Sequence, residues 1–169
     1  MHPTDLPQWA IDRVVAKHGR PVIFDRLDPA RTALVVVDMQ EFFTCPGAPL
    51  EMPAAREIVP AINRCAHGLR AAGGTVAWVV TELRGGAREW TSFFAVTHPG
   101  ARGELVREGL APGTAMAGLT KGLEPREGDL HAAKDRFSAF LPGASDLPDR
   151  LRARGIDTGA HEGALRASG

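Results

Sequence analysis

Cysteine is scarce in this chain, with two among 169 residues, Cys45 and Cys65. They form no CxxC pair, which points to a reduced compartment rather than to a disulfide framework. Neither sign of charge is in excess, since 20 Lys plus Arg stand against 20 Asp plus Glu. No net field draws the chain to nucleic acid or to an acidic membrane surface. Long apolar runs are missing as well, and none approaches the roughly 20 residues of a spanning helix. The opening MHPTDLPQWAIDRV is broken by prolines and charges, unlike the apolar centre of a secretion signal. A cytoplasmic protein with a small neutral or zwitterionic partner is expected, with no nucleic acid and no membrane. The phosphate-loop patterns G-x-G-x-x-G and G-x-x-x-x-G-K-[ST] are absent, which weighs against a flavodoxin-like nucleotide or flavin protein.

What is present reads as one α/β domain, a size at which roughly 70% of the unfolded surface is buried. Residues 7–19, PQWAIDRVVAKHG, carry Trp9, Ile11, Val14, Val15 and His18 at mostly helical spacing. Gly19 and Pro21 stop this run, predicting a short helix that packs on something else. Thr32 to Asp38 is too rich in valine to alternate, the pattern of a strand covered on both faces. Ile58, Ile62, Cys65 and Leu69 mark one stripe of a helix that ends at Gly73 and Gly74, and TVAWVVTE at 75–82 is a second strand. Residues 83–127 read as a long loop with a short helical piece, of the length that is usually functional or mobile. DLHAAK at 129–134 makes a third strand. A helix follows, capped by Ser145 or Asp146 and ended by Gly155. Strand and helix alternate, predicting a three-layer, doubly wound parallel sheet.

Reacting groups in such sheets gather beyond the carboxyl ends of the strands. Asp38 ends the first strand and Lys134 the third. A carboxylate directly behind five apolar residues is costly unless paired or useful, and Lys134 is the candidate partner. On residues alone, the pair fits a structural ion bridge and a catalytic pair equally well.

ALVVVDMQ, PLEMPAAREIVPAIN, EWTSFF, the K-x-R-F-S-A-F run at 134–140 and LRARGIDT, in this order and spacing, resemble the isochorismatase-like cysteine hydrolases. That family includes isochorismatases, nicotinamidases, N-carbamoylsarcosine amidohydrolases and ureidoacrylate amidohydrolases. The resemblance runs from about Pro21 to Thr158. It implies a six-stranded parallel sheet and a Cys-Asp-Lys triad in which a thiolate attacks an amide-like carbonyl and water releases the acid. Asp38 would be the general base and Lys134 the cation beside it, consistent with a thiol of pKa about 8.5 that needs a base or positive charge to react. Gln40, Phe43, Trp90 and Phe93 are candidates to line the substrate pocket, core packing being the alternative for each aromatic. No cofactor is implied. Nicotinamidases of the family carry zinc-binding histidines after strand two, whereas TELRGGAREW has none, so no metal is expected.

The sequence departs from the family where the nucleophile belongs. No T-N-x-C occurs, and the stretch after GIDT reads GAHEGALRASG, poor in strand formers. Cys45, in the loop after strand one, and Cys65, on the helical stripe, are weak substitutes. The expectation is a helical extension at 1–20, an incomplete hydrolase domain at 21–158 and a divergent tail at 159–169. In this reading the C-terminal strands are missing and strand one is left as an apolar edge, as in a truncated copy that is inactive as given. The alternative is a non-catalytic ligand- or partner-binding member of the same fold. Homo-oligomers are expected only of the intact family form.

Overall fold

The computed structural model describes residues 6–22, 26–84 and 90–163, with 158–163 described as backbone. The valine run forms β1 (Thr32–Val37), the second apolar run forms β2 (Thr75–Thr81), and β3 (Leu130–Lys134) follows DLHAAK as read. β1 pairs in parallel with β2, and β2 with β3. A further strand, β4 (Thr158–Gly163), lies on the other side of β1, so the order is β3-β2-β1-β4.

β4 corrects the expectation that β1 is left as a bare apolar edge, in a sheet that has four strands among the described residues where the family resemblance implies six. It runs alongside β1 from Thr32↔Thr158 to Val37↔Gly163. The ladder is built from main-chain N–H and C=O groups, which every residue except proline supplies. GAHEG has no proline. Glycine and alanine weaken a strand because they pack little, and pairing itself remains open to them. The tail assigned to 159–169 therefore starts inside a strand, and 164–169 lie outside the described residues.

Alternation along the strands divides the core into two layers. Ala33, Val35, Ala77, Val79, Leu130 and Ala132 pack with Leu147 and Leu151 of α6 (Leu147–Ala153). Leu34, Val36, Val76 and Trp78 face the other way, onto Val59, Ile62 and Ala66 of α4 (Val59–Ala71). This is the three-layer α/β arrangement that the unalternating valines require. Ser145 accepts the Leu147 N–H at 3.2 Å at the start of α6, so it fills the capping role for which Ser145 and Asp146 competed.

The helices differ from their expected faces in two places. Val59, Ile62 and Ala66 are the buried residues of α4, while Cys65 is exposed. One residue advances about 100° around the helix, so Ala66 rather than Cys65 continues the line from Val59 through Ile62. α1 (Gln8–His18) forms as its spacing requires, but none of its residues is buried and Trp9 is 68% exposed. Between β2 and β3, the long segment holds a π-helical turn, Phe93–Thr97, and the nine-residue α5 (Ala101–Gly109), more helix than its glycines and proline indicated. Residues 85–89 of that segment lie outside the described residues. Two short helices, α2 (Glu41–Thr44) and α3 (Pro53–Glu57), follow β1.

Candidate active site

The carboxyl ends of three adjacent strands converge on one polar cluster. Thr81 and Lys134 are register partners at the ends of β2 and β3. They share the α6 face with Val79 and Ala132, two residues earlier in each strand. Asp38 follows Val37, which packs on that same face, so continued alternation would send its side chain to the opposite one. Instead Asp38 adopts φ 57°, and it is the non-glycine residue with positive φ among the described residues. The left-handed turn brings its carboxylate back to Thr81 and Lys134. Such a conformation costs roughly 1–2 kcal/mol for an L-residue, and Asp is among the side chains that tolerate it.

The three side chains close a ring of polar contacts. Lys134 Nζ donates to Thr81 Oγ1 at 2.6 Å, Thr81 Oγ1 donates to Asp38 Oδ1 at 2.7 Å, and Lys134 Nζ lies 3.1 Å from Asp38 Oδ2. Lys134 is 2% exposed and Asp38 7%. An ammonium so buried is sustained only by this pairing. Thr81 is not legible as a site residue in the sequence, because a threonine ending a β-branched strand looks like ordinary strand composition. The signal that would have found it is its place one strand over from both charges.

A cavity of about 460 Å³ opens on this cluster. Phe43, Trp90 and Phe93 line it, together with His98, Arg102 and Phe137. Trp90 stands edge-on to Phe93, with centroids 5.2 Å apart, and its indole N–H donates to the Asp135 carbonyl. Gln40 is placed differently from the expectation of a pocket residue. It is fully buried, and its amide donates to the Thr81 and Ala117 carbonyls at 3.1 and 2.7 Å while accepting the Thr81 N–H at 2.8 Å. Those bonds use the amide to hold the end of β2, so Gln40 positions Thr81 and is not among the residues lining the cavity.

Neither thiol reaches the cluster. Cys65 is exposed on α4, and Cys45 lies by Pro46, Arg56, Thr120 and Lys121 in a separate depression. Two further groups at the cavity are electrostatically tuned. Glu51 is held below the usual carboxylate range by the Gly47 N–H and then by Arg56. His98 is held below the usual imidazole range by burial and then by the charge of Arg102. Among the described residues, no three His, Cys, Asp or Glu side chains come together as metal ligands. No helix among them is long and apolar enough to cross a membrane.

Comparison with known proteins places this geometry. Residues 32–160 match the isochorismatase domain model. The chain is 31% identical over 175 aligned residues to ureidoacrylate amidohydrolase RutB of Methylobacterium radiotolerans, covering 93% of this chain and 67% of that one. The RutB protein of Caulobacter vibrioides is 33% identical, with 77% and 63% covered. A crystal structure of a cysteine hydrolase from Pseudomonas syringae pv. phaseolicola superposes with a TM-score of 0.66 at 29% identity, covering 81% of this chain and 61% of that one. N-carbamoylsarcosine amidase from Thermoplasma acidophilum does so with a TM-score of 0.62 at 26% identity, covering 79% and 67%. The chain thus spans about two thirds of the length of these relatives. With a family match running from the first residue of β1 into β4, and a parallel sheet shared with solved members, the chain belongs to the isochorismatase domain family of hydrolases.

Proposed function

We propose that this chain carries the base and the cation of a Cys-Asp-Lys site acting on the C–N bond of a small ureido or amide compound. The observation that supports it most directly is the closed ring of Asp38, Thr81 and Lys134 at the floor of an apolar cavity. Asp38 would take the thiol proton as general base, and Lys134 would hold the carboxylate ionised and favour the thiolate. The thiolate would attack the carbonyl carbon, the amine would leave with a proton returned from Asp38, and water would release the acid.

The nucleophile is the open part of this reading. With Cys45 and Cys65 both away from Asp38, these 169 residues by themselves are expected to bind such a compound without turning it over. The same placement of the thiols favours a second reading, a ligand-binding member of the family with no catalysis. We assign a cytoplasmic location, a small-molecule partner, and no metal or cofactor.

The test pairs calorimetric binding of 3-ureidopropionate with measured ammonia release. Binding that Asp38→Asn and Lys134→Met each weaken at least tenfold, with no ammonia formed, is the expected result. Ammonia release that survives replacement of both cysteines by serine would overturn the thiolate mechanism. Binding untouched by either variant would overturn the assignment of the site.

A further inference from the structure

We propose that residues 45–51 form a movable wall of the Asp38 cavity and that Arg56, standing outside the cavity, is the positioning residue that latches this wall shut. The inference rests on the function proposed above for the ligand that is admitted, and deepens it by assigning how the site opens.

The segment CPGAPLE leaves α2 at Thr44 and leads through Met52 to α3 at Pro53. Its ends are drawn together where the Met52 N–H donates to the Phe43 carbonyl at 2.7 Å, which makes it a compact Ω-loop. Gly47, at φ 80°, reverses the chain, and Pro46 and Pro49 fix their own φ angles. Its turns are closed from within. The Ala48 N–H donates to the Cys45 carbonyl at 3.0 Å, the Glu51 N–H to the Ala48 carbonyl at 3.1 Å, and the Gly47 N–H to Glu51 Oε2 at 2.9 Å. The loop is therefore stiff in itself. Pro49, Leu50 and Glu51 line the cavity, and Leu50 packs against the cluster that includes Leu83, Phe94 and Val106.

This internal stiffness contrasts with the few ties to the rest of the molecule. Among the described residues, hydrogen bonds from outside the loop reach 46–51 only through Arg56. Its Nη1 donates to Glu51 Oε1 at 2.7 Å and to the Thr44 carbonyl at 2.7 Å, so one guanidinium nitrogen joins α3, the end of α2 and the far limb of the loop. A charge-assisted bond of this kind is among the stronger single ties a protein makes. Arg56 is not among the residues lining the cavity and lies in the separate depression with Cys45 and Lys121. It therefore acts on a ligand only through the loop. A stiff segment held by one ionic tie, and flanked by helix ends at which it can pivot, moves as a unit.

Two roles for Arg56 separate kinetically. Loss of a residue that merely shapes the wall quickens dissociation and leaves association as it was, so affinity falls. A latch opens in the free and the liganded protein alike. Its loss quickens both rates and leaves affinity nearly constant, because a tie equally strong in both states does not shift the binding equilibrium.

Both tests use the full chain. Without ligand, exchange of the Met52 amide hydrogen, whose bond spans the base of the loop, should be about tenfold faster in Arg56→Met, the effect of one charge-assisted bond. Amides of β1 should keep their rates. Arg56→Lys, which keeps the charge, should recover part of the protection. Glu51→Gln, which keeps an oxygen for Arg56 and loses the acceptor of the Gly47 N–H, should exchange severalfold faster than the parent. Stopped-flow mixing with 3-ureidopropionate is followed by Trp90 fluorescence in a Trp9→Phe background. Association and dissociation should both be about tenfold faster in Arg56→Met, with affinity within about twofold of the parent. Met52 exchange unchanged in Arg56→Met, or dissociation quickened with association unchanged, would overturn the latch. A parent that gives no binding signal with 3-ureidopropionate counts against the function proposed above, and Met52 exchange then decides the latch alone.

Discussion

Two buried carboxylates sit at opposite ends of the same sheet, and their surroundings differ in kind. Asp129 immediately precedes β3, at its amino end. It receives Arg70 Nε at 3.0 Å on one oxygen, and Arg70 Nη2 at 2.6 Å, Trp78 Nε1 at 2.7 Å and the Arg126 N–H at 2.9 Å on the other. Asp38, at the carboxyl end of β1, has only the Thr81 hydroxyl and Lys134 among the described residues, sits in a left-handed conformation, and faces a cavity. Asp129 is saturated with donors and ties α4 to the sheet. Asp38 keeps lone-pair capacity toward space that a ligand can enter. Burial and an ion pair are common to both, so what separates a strut from a base is the unsatisfied remainder and the open volume beside it.

The largest effect is expected where saturation is complete. Asp129→Ala leaves Arg70, the Trp78 indole and the Arg126 N–H without their acceptor, and should cost about 3–5 kcal/mol in urea denaturation. Burial raises the pKa of Asp129, but the bonds from Arg70, Trp78 and Arg126 outweigh it and hold the group below the usual carboxylate range. Its stabilising contribution is therefore complete above about pH 4 and is lost as pH falls through the lowered folded value. Ligand binding by the folded fraction of Asp129→Ala should be unchanged. A tenfold loss of affinity would erase the contrast between the two carboxylates.

Asp38 should behave in the opposite way. Lys134→Met alone strands a buried carboxylate, and should lower both stability and affinity. The double variant Asp38→Asn with Lys134→Met removes both charges and the cost of desolvating them. It should be as stable as the parent or more so, by about 1–4 kcal/mol, while losing binding. A double variant that is less stable than either single one would mean that this pair, too, is a structural strut.

The two regions were not equally legible in the sequence. Valine without alternation marked β1 and β2 as strands covered on both faces, and both charges of the cluster stand at strand ends where the topology collects them. Thr81 and the role of Gln40 were hidden, because each acts through a neighbour in space some 40 positions away. The left-handed turn at Asp38 was hidden because Asp-Met-Gln contains no glycine to announce it. Asp129 gives no signal in the sequence because its four donors come from three separate segments. β4 is hidden because propensity measures side-chain packing, while strand addition on β1 is main-chain chemistry.

Gln40 offers a smaller effect that sharpens the contrast. Its amide makes three bonds to backbone groups at the end of β2 and near Ala117. Gln40→Leu strands the Thr81 N–H and should cost about 1–3 kcal/mol. Because Thr81 bridges Asp38 and Lys134, affinity should also fall severalfold, although Gln40 itself does not line the cavity. Gln40→Glu keeps the acceptor and loses the donors, so it should recover the Thr81 N–H bond and only part of the stability. Affinity equal to the parent in Gln40→Leu would show that Thr81 holds its place without this support.

The smallest effect concerns pH and separates the two ends of the sheet by window. His98 is held below the usual imidazole range first by burial and then by Arg102. The unfolded chain therefore takes up the proton at higher pH than the folded one, so the contribution of neutral His98 is complete above about pH 6.5 and is lost as pH falls through the lowered folded value. The charged groups facing the same cavity are Arg102, Glu51, Asp38 and Lys134. Glu51 is kept in its ionised form through this window by Gly47 and Arg56. In His98→Phe the decline of Tm between pH 7 and pH 5 should flatten, while the steeper loss in stronger acid, to which Asp129 contributes, should remain. A His98→Phe protein whose Tm falls between pH 7 and pH 5 as the parent's does would assign that limb to another group and leave the cavity without its pH signature.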